Sequence, residues 1–162
     1  MAAKREDQLT KVSVDAAIAH VQAFYGALNS NRELIASFYA PTPSSIVFNG
    51  NSVADGPAVQ DIFVNQMPKS HYEAQSFDSQ IINPAYPTVT PTGVKPAAEM
   101  TIKDMSILLL VSGYVRYGEG REQPQRGFSE TFILVPNPSK TTDRNKRHHE
   151  WVIQSENFRL VV

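Results

Sequence analysis

His148-His149-Glu150 brings three metal-ligating residue types together. On a strand, however, adjacent side chains point to opposite faces, and the remaining histidines, His20 and His71, lie far away in the chain. A solvated tract is the simpler reading, and no metal site is expected. Gly118-Glu119-Gly120 invites a phosphate-loop reading. The third glycine of that motif would fall at Gln123, and the segment joins two strands instead of opening a helix, so it reads as a turn. Asp61, His71 and Asp78, with Tyr25 or Tyr39 as proton donors, are the residue types that acid–base chemistry in a pocket would need. No spacing singles them out. There is no serine–histidine elbow, no Walker lysine and no cysteine, so a thiol nucleophile, a thiolate metal site and disulfide staples are excluded. No catalytic residue and no cofactor is expected.

Lys140, Arg144, Lys146 and Arg147 against Asp143 give the stretch 140–149 a local charge of +3. Such a cluster could contact RNA phosphates, or simply keep a polar loop solvated. It contains no aromatic residue, so base stacking there is not supported. Asp78 and Arg159 differ from these surface charges. Arg159 lies between Phe158 and Leu160, and Asp78 follows Phe77, so each points to the face opposite an apolar neighbour. A charge on a sheet face destined for burial needs a partner, because an unpaired buried charge is costly. That partner could be the other residue of the pair, or could lie on another chain.

The 162 residues fit one domain of ordinary size, with 41% hydrophobic and 19% charged residues and a net charge of -1. No strong overall field draws the chain to nucleic acid or to an anionic membrane. The N-terminus has charges but no apolar region behind them, and the longest apolar run, Ile107 to Val111, is too short to span a bilayer. The expectation is a soluble protein of the cytosol or nucleus.

Apolar residues at Val14, Ala17, Ile18, Val21, Phe24, Tyr25 and Leu28 have helical spacing over 14–28, leaving 1–13 as a flexible N-terminus. A short second helix is expected over Arg32 to Tyr39, stopped by Pro41 and Pro43. A third over 57–67 starts at Asp55-Gly56-Pro57 and buries Val59, Ile62, Phe63 and Met67. Strands are expected over Ser45 to Asn49, His71 to Ile82, Met105 to Tyr117, Gly127 to Val135 and Glu150 to Val162, with a turn at Asn49-Gly50. Long loops occupy 83–104, which is rich in proline, and 136–149. The order makes residues 14–162 a single α+β domain, three N-terminal helices against a strongly bent antiparallel sheet.

A half-exposed strand should alternate apolar and polar residues. Ile107 to Val111 and Phe132 to Val135 are instead apolar in succession. Three helices can cover one face of such a sheet. The other needs a partner, a ligand cavity, the loop 83–104 folded back, or closure into a barrel.

With that order in place, four segments carry a resemblance: Val47-Phe48-Asn49-Gly50-Asn51-Ser52-Val53, Gly113-Tyr114-Val115-Arg116-Tyr117, Phe128 to Leu134 and Trp151 to Arg159. They resemble the nuclear transport factor 2-like family, and within it the small subunits of heterodimeric mRNA export receptors, the mRNA transport regulator type. The resemblance implies a cone of three helices on a curved sheet whose open face packs against the similar domain of a TAP-type large subunit. It implies a non-enzymatic subunit that passes nuclear pores by way of phenylalanine-glycine nucleoporins and shuttles between nucleus and cytoplasm. It also implies that Asp78 and Arg159 make charged contacts across the dimer, with Leu109, Val111, Tyr114 and Phe132 as neighbouring interface candidates. The import factor of the family that binds the GTPase Ran carries acids in the turn where this chain has Gly118 and Gly120, which argues against that role. Longer-looped members are implicated in ribosomal subunit export through RNA contacts, for which Lys140, Arg144, Lys146 and Arg147 are the candidates. A small-molecule enzyme using the cone as a pocket is the alternative from another class.

Overall fold

Helix α1 spans Ala2–Ser30. It belongs to a computed structural model that describes residues 2–82, 88–90, 93–95, 99, 101–139 and 148–161. The helix therefore begins well before residue 14, and Leu9 and Val12 from the segment expected to be flexible pack against the core. Its buried stripe runs through Ser13, Ala16, Ala17, His20, Phe24, Ala27 and Leu28, with Tyr25 beside it. Val14 and Ile18, expected in that stripe, face outward at 40% and 39% exposure. The helix approaches the sheet through small residues and one histidine, a preference that hydrophobic periodicity does not register.

A 3-10 helix, Arg32–Phe38, takes the place of the second α-helix. Helix α2, Gly56–Asp61, starts where Asp55 accepts a hydrogen bond from the amide of Ala58, the expected cap, and runs on as a π turn over Ile62–Gln66. Arg32 fastens these pieces together. Its guanidinium donates to the carbonyls of Leu28, Phe63, Met67 and Pro68 and to Ser70 Oγ, and it lies over the Phe63 ring. Carbonyl groups that would otherwise be orphaned at two helix ends are thus satisfied by one side chain.

The strands are β1 Ser45–Phe48, β2 Asn51–Ser52, β3 Ser70–Ile82, β4 Thr88–Thr90, β5 Gly93–Lys95, β6 Ser106–Tyr117, β7 Arg126–Pro136 and β8 Trp151–Val161. Asn49 and Gly50 both have positive φ, at 49° and 84°, as a tight hairpin between β1 and β2 requires. One six-stranded sheet has the order β2-β1-β8-β7-β6-β3, and β4 with β5 forms a separate hairpin inside the long loop 83–104. The four long strands pair antiparallel as expected. The sheet is nevertheless mixed, because β1 lies parallel to the C-terminal strand β8. Asn137 closes the base of loop 136–149, its amide and its side chain bonding to the carbonyls of Glu150 and His149.

Two irregularities bend the sheet around the helices. Register shifts between Ala74 and Ser76 in β3, and β7 shifts against β8 between Ile133 and Leu134. At the first, Gly113 faces the bulge so closely that a Cβ there would sit 2.0 Å from the Glu73 carbonyl oxygen. Only a residue without a side chain lets β3 and β6 approach this way. The inner, helix-facing side holds an aromatic core in which Phe24, Phe132, Phe128, Phe158, Tyr25 and Tyr72 meet ring to ring. The Gly113→Ala variant should lose roughly 1–3 kcal/mol in urea unfolding, as overpacking against backbone does. Unchanged stability would show that β3 does not take this bulged path.

Candidate partner-binding face

The alternation hidden in the continuous apolar runs becomes visible once the helices are in place. In β6, Ile107, Leu109, Val111 and Val115 are fully buried beneath the helices, while Leu110 and Tyr114 are 44% and 40% exposed on the other side. In β7, Phe128, Phe132 and Leu134 point inward, and Thr131, Ile133 and Val135 between them are half-buried. Among the described residues no helix lies over this outer side.

Paired residues across strands share a face, so the register sets out the outer side row by row. One row reads Asp78, Leu110, Thr131, Asn157 and Val47 across β3, β6, β7, β8 and β1. The row on one side of it reads Ser76, Ser112, Ser129 and Arg159, with Ser76 and Ser112 hydroxyls 2.9 Å apart. The row on the other side reads Gln80, Leu108, Ile133, Ser155 and Ser45. The result is an apolar centre of Leu108, Leu110 and Ile133, extended by Tyr114 and by Val161, which is 53% exposed.

Asp78 and Arg159 stand on this outer side, both exposed, one on β3 and one on β8. They are three inter-strand spacings apart, roughly 14 Å, too far to pair with each other. Neither takes part in an ion pair among the described residues, where the pairs are Lys11–Asp15 and Lys69–Glu119. Of the other interface candidates, Tyr114 shares the outer side with them. Leu109, Val111 and Phe132 do not. They are 0%, 2% and 0% exposed on the helix-covered side and belong to the core. Their neighbours Leu108, Leu110 and Ile133 occupy the outer positions instead. A one-residue step along a strand reverses the face, and the unbroken apolar run gave no phase from which to choose.

The remaining candidates separate. Lys140, Arg144, Lys146 and Arg147 lie outside the described residues. The Gly118 turn, with φ of 96°, bonds back to the Lys69 carbonyl, and Glu119 pairs with Lys69 at 2.9 Å. His149 stacks on Phe38 and bonds Ser37 Oγ, whereas His20 is buried between aromatic rings, and no group of three metal-ligating side chains forms among the described residues. Burial holds the His20 pKa down at about 3, so its imidazole stays neutral. Asp61 is exposed, and hydrogen bonds from Asn65 and Gln66 lower its pKa. His71 and Asp78 point outward from β3, away from the cone interior, so these groups do not converge with Tyr25 and Tyr39 in a pocket.

Tyr25 and Tyr39 instead point into the core. Tyr25 donates to Glu130 at 2.7 Å and Tyr39 to Glu156 at 2.5 Å, and the two glutamates are 1% and 2% exposed. Sequence reasoning passed over both acids. Their alternation with Phe128, Phe132 and Phe158 on the inner side was the available signal. A cleft of about 600 Å³ opens elsewhere, between α1 and residues 148–151, with His20 and Trp151 in its walls. It does not reach the acids.

The architecture is shared with solved structures. One is a chain of a complex described as Sac3N peptide bound to Mex67:Mtr2, at 23% identity and a TM-score of 0.70, covering 92% of this chain and 99% of that one. A second, from a complex of the Chaetomium thermophilum Mex67 NTF2-like domain with Mtr2, has 22% identity and a TM-score of 0.68, covering 92% and 98%. A third, a putative scytalone dehydratase from Novosphingobium aromaticivorans, has 8% identity and a TM-score of 0.61, covering 96% and 89%. No curated protein sequence matches the chain. Residues 16–159 match the model of the nuclear transport factor 2 (NTF2) domain, and the chain, with its helices on one side of a curled sheet and an open face on the other, belongs to that family.

Proposed function

We propose that this chain is the non-enzymatic small subunit of a heterodimeric mRNA export receptor, and that the outer sheet face receives the similar domain of a TAP-type large subunit. The observation that carries the reading is the face itself. Leu110, Tyr114 and Val161 are large apolar side chains left 40–53% exposed on a sheet face that no helix covers among the described residues, and an exposed apolar surface on a folded chain is the mark of a partner site. The solved Mex67:Mtr2 complexes, whose chains share this architecture, support the same assignment. A small-molecule enzyme is disfavoured, since the cone interior is filled by aromatic rings and the candidate acid–base groups do not meet.

In this reading Leu108, Leu110 and Ile133 form the apolar centre of the interface, and Tyr114, Asp78 and Arg159 mark its margins. The two charges are too far apart to satisfy each other, so each finds its counter-charge on the partner. The heterodimer, not this subunit alone, contacts phenylalanine-glycine nucleoporins and passes the nuclear pore, placing the chain in the nucleus with shuttling to the cytoplasm. The basic stretch from Lys140 through Arg144, Lys146 and Arg147 is the proposed RNA contact, through which the subunit would also serve ribosomal subunit export.

Leu110→Asp should weaken binding to the large subunit's domain by about 30-fold or more, corresponding to about 2 kcal/mol, while leaving the urea midpoint of the isolated chain nearly unchanged. Leu109→Ala, one position away, should do the opposite and cost roughly 2–5 kcal/mol of stability. Equal effects of the two on affinity would refute the assignment of faces. Asp78→Arg should lower affinity by an amount in the range of about 2–5 kcal/mol, and reversing the facing charge on the partner should restore it. Undiminished affinity in titration calorimetry would remove Asp78 from the interface.

A further inference from the structure

Glu130 on β7 and Glu156 on β8 are the two acids of the core. The register pairs Glu130 with Phe158 and Phe132 with Glu156, so the acids are diagonal neighbours on the inner side of adjacent antiparallel strands. Their carboxyl groups lie within hydrogen-bonding reach of each other. Each uses Oε1 to accept from a tyrosine, Tyr25 of α1 for Glu130 and Tyr39, which follows the 3-10 helix, for Glu156. Each Oε2 is buried without a hydrogen-bond partner. Two neighbouring carboxyl groups that each keep an unsatisfied acceptor in a dry core gain a hydrogen bond when one proton is shared between them.

Among the described residues no positive charge stands in for that proton. The titratable groups facing the pair are Tyr25 from α1, Tyr39 from the segment after the 3-10 helix and Tyr72 from β3, all three phenols held protonated by burial. Neither glutamate forms an ion pair with Lys, Arg or His among the described residues. His20 beside Phe24 and Phe132 is neutral. Two carboxylates so placed cannot both ionise, since each would be a bare charge in low dielectric beside a like charge.

We propose that Tyr25, Glu130, Glu156 and Tyr39 form a proton-loaded latch, one proton shared between the two glutamates, which fastens the helical layer to β7 and β8 and makes the fold lose stability as pH rises above the ordinary glutamate range. The chain of bonds runs from α1 through both strands to the segment after the 3-10 helix, so losing the proton loosens both helical attachments together. Burial is the largest cause raising both carboxyl pKa values, and for Glu130 the charge of Glu156 adds to it. A raised folded-state pKa means that folding takes up a proton. The latch is therefore at full strength below the ordinary glutamate range of about 4.3, and it weakens as pH rises from there toward the raised value.

The test is urea unfolding of the full-length chain and of Glu130→Gln between about pH 5 and pH 9. The glutamine keeps the shape, accepts from Tyr25, and offers its own amide hydrogens to Glu156, so it mimics the protonated acid without titrating. In the wild type the folding equilibrium constant should fall by up to about tenfold per pH unit between the ordinary glutamate range and the raised value, where only the folded chain keeps the proton, and in the variant it should not. Parallel profiles would overturn the latch. Should Glu130→Gln fail to fold, Glu156→Gln provides the reciprocal comparison. Carbon NMR of the wild-type glutamate carboxyl groups decides the matter without a variant. A glutamate still titrating above neutral pH supports the shared proton, and all glutamates titrating in the ordinary range would exclude it.

Discussion

Ile107, Leu109 and Val111 face the helices while Leu108 and Leu110, set between them, face away. Burial of that first set against α1 and its companions is the interaction on which the molecule depends, and the exposure of the second set is its unavoidable remainder. Every strand has two faces, and the helices reach only one. A sheet that stayed polar on its outer side would have closed the question within one chain. Here the outer rows carry leucine, isoleucine, tyrosine and valine, with Leu110, Tyr114 and Val161 left 40–53% exposed, and this is the surface on which the proposed heterodimer rests.

The curvature that makes the inner side a cone comes from local devices with definite causes. A glycine at 113 admits the bulge in β3, the shift between β7 and β8 turns the sheet again, and Arg32 ties the end of α1 to the stretch before β3 by bonding to the carbonyls of Leu28, Phe63, Met67 and Pro68 and to Ser70 Oγ. Within the cone Glu130 and Glu156 are 1% and 2% exposed beside the aromatic rings, and among the described residues the cleft at residues 148–151 does not reach them. The fold supports more than one use, and the contents of the cone decide among them.

Much of this was legible in the sequence, because the governing signals are local. The cap at Asp55, the turn at Asn49-Gly50 and the four long strands follow from residue preferences and patterning. The need for cover on a second face followed from unbroken apolar runs. What escaped was what depends on rotation or on distant pairing. Val14 and Ile18 were expected inside because they are apolar, but α1 turns Ala16, Ala17 and His20 to the core and leaves Val14 and Ile18 at 40% and 39% exposure. The parallel docking of β1 on β8 joins residues about 110 positions apart, beyond any local pattern. The unbroken apolar runs carried no phase, so Leu109, Val111 and Phe132, offered as interface candidates, turn out to lie in the core, whereas Tyr114, Asp78 and Arg159 lie on the outer side. Glu130 and Glu156 drew no reading from the sequence, because the tyrosines that partner them lie 105 and 117 positions away.

The central claim is that the outer sheet face is built for a second, similar domain. The most direct measurement is the molar mass of the purified chain by light scattering, alone and after mixing with the NTF2-like domain of a TAP-type large subunit. A one-to-one complex that forms only with the second domain is the expected result. A chain that keeps its own mass in the mixture, or that pairs with itself in preference, would contradict the account and leave the open face to another occupant.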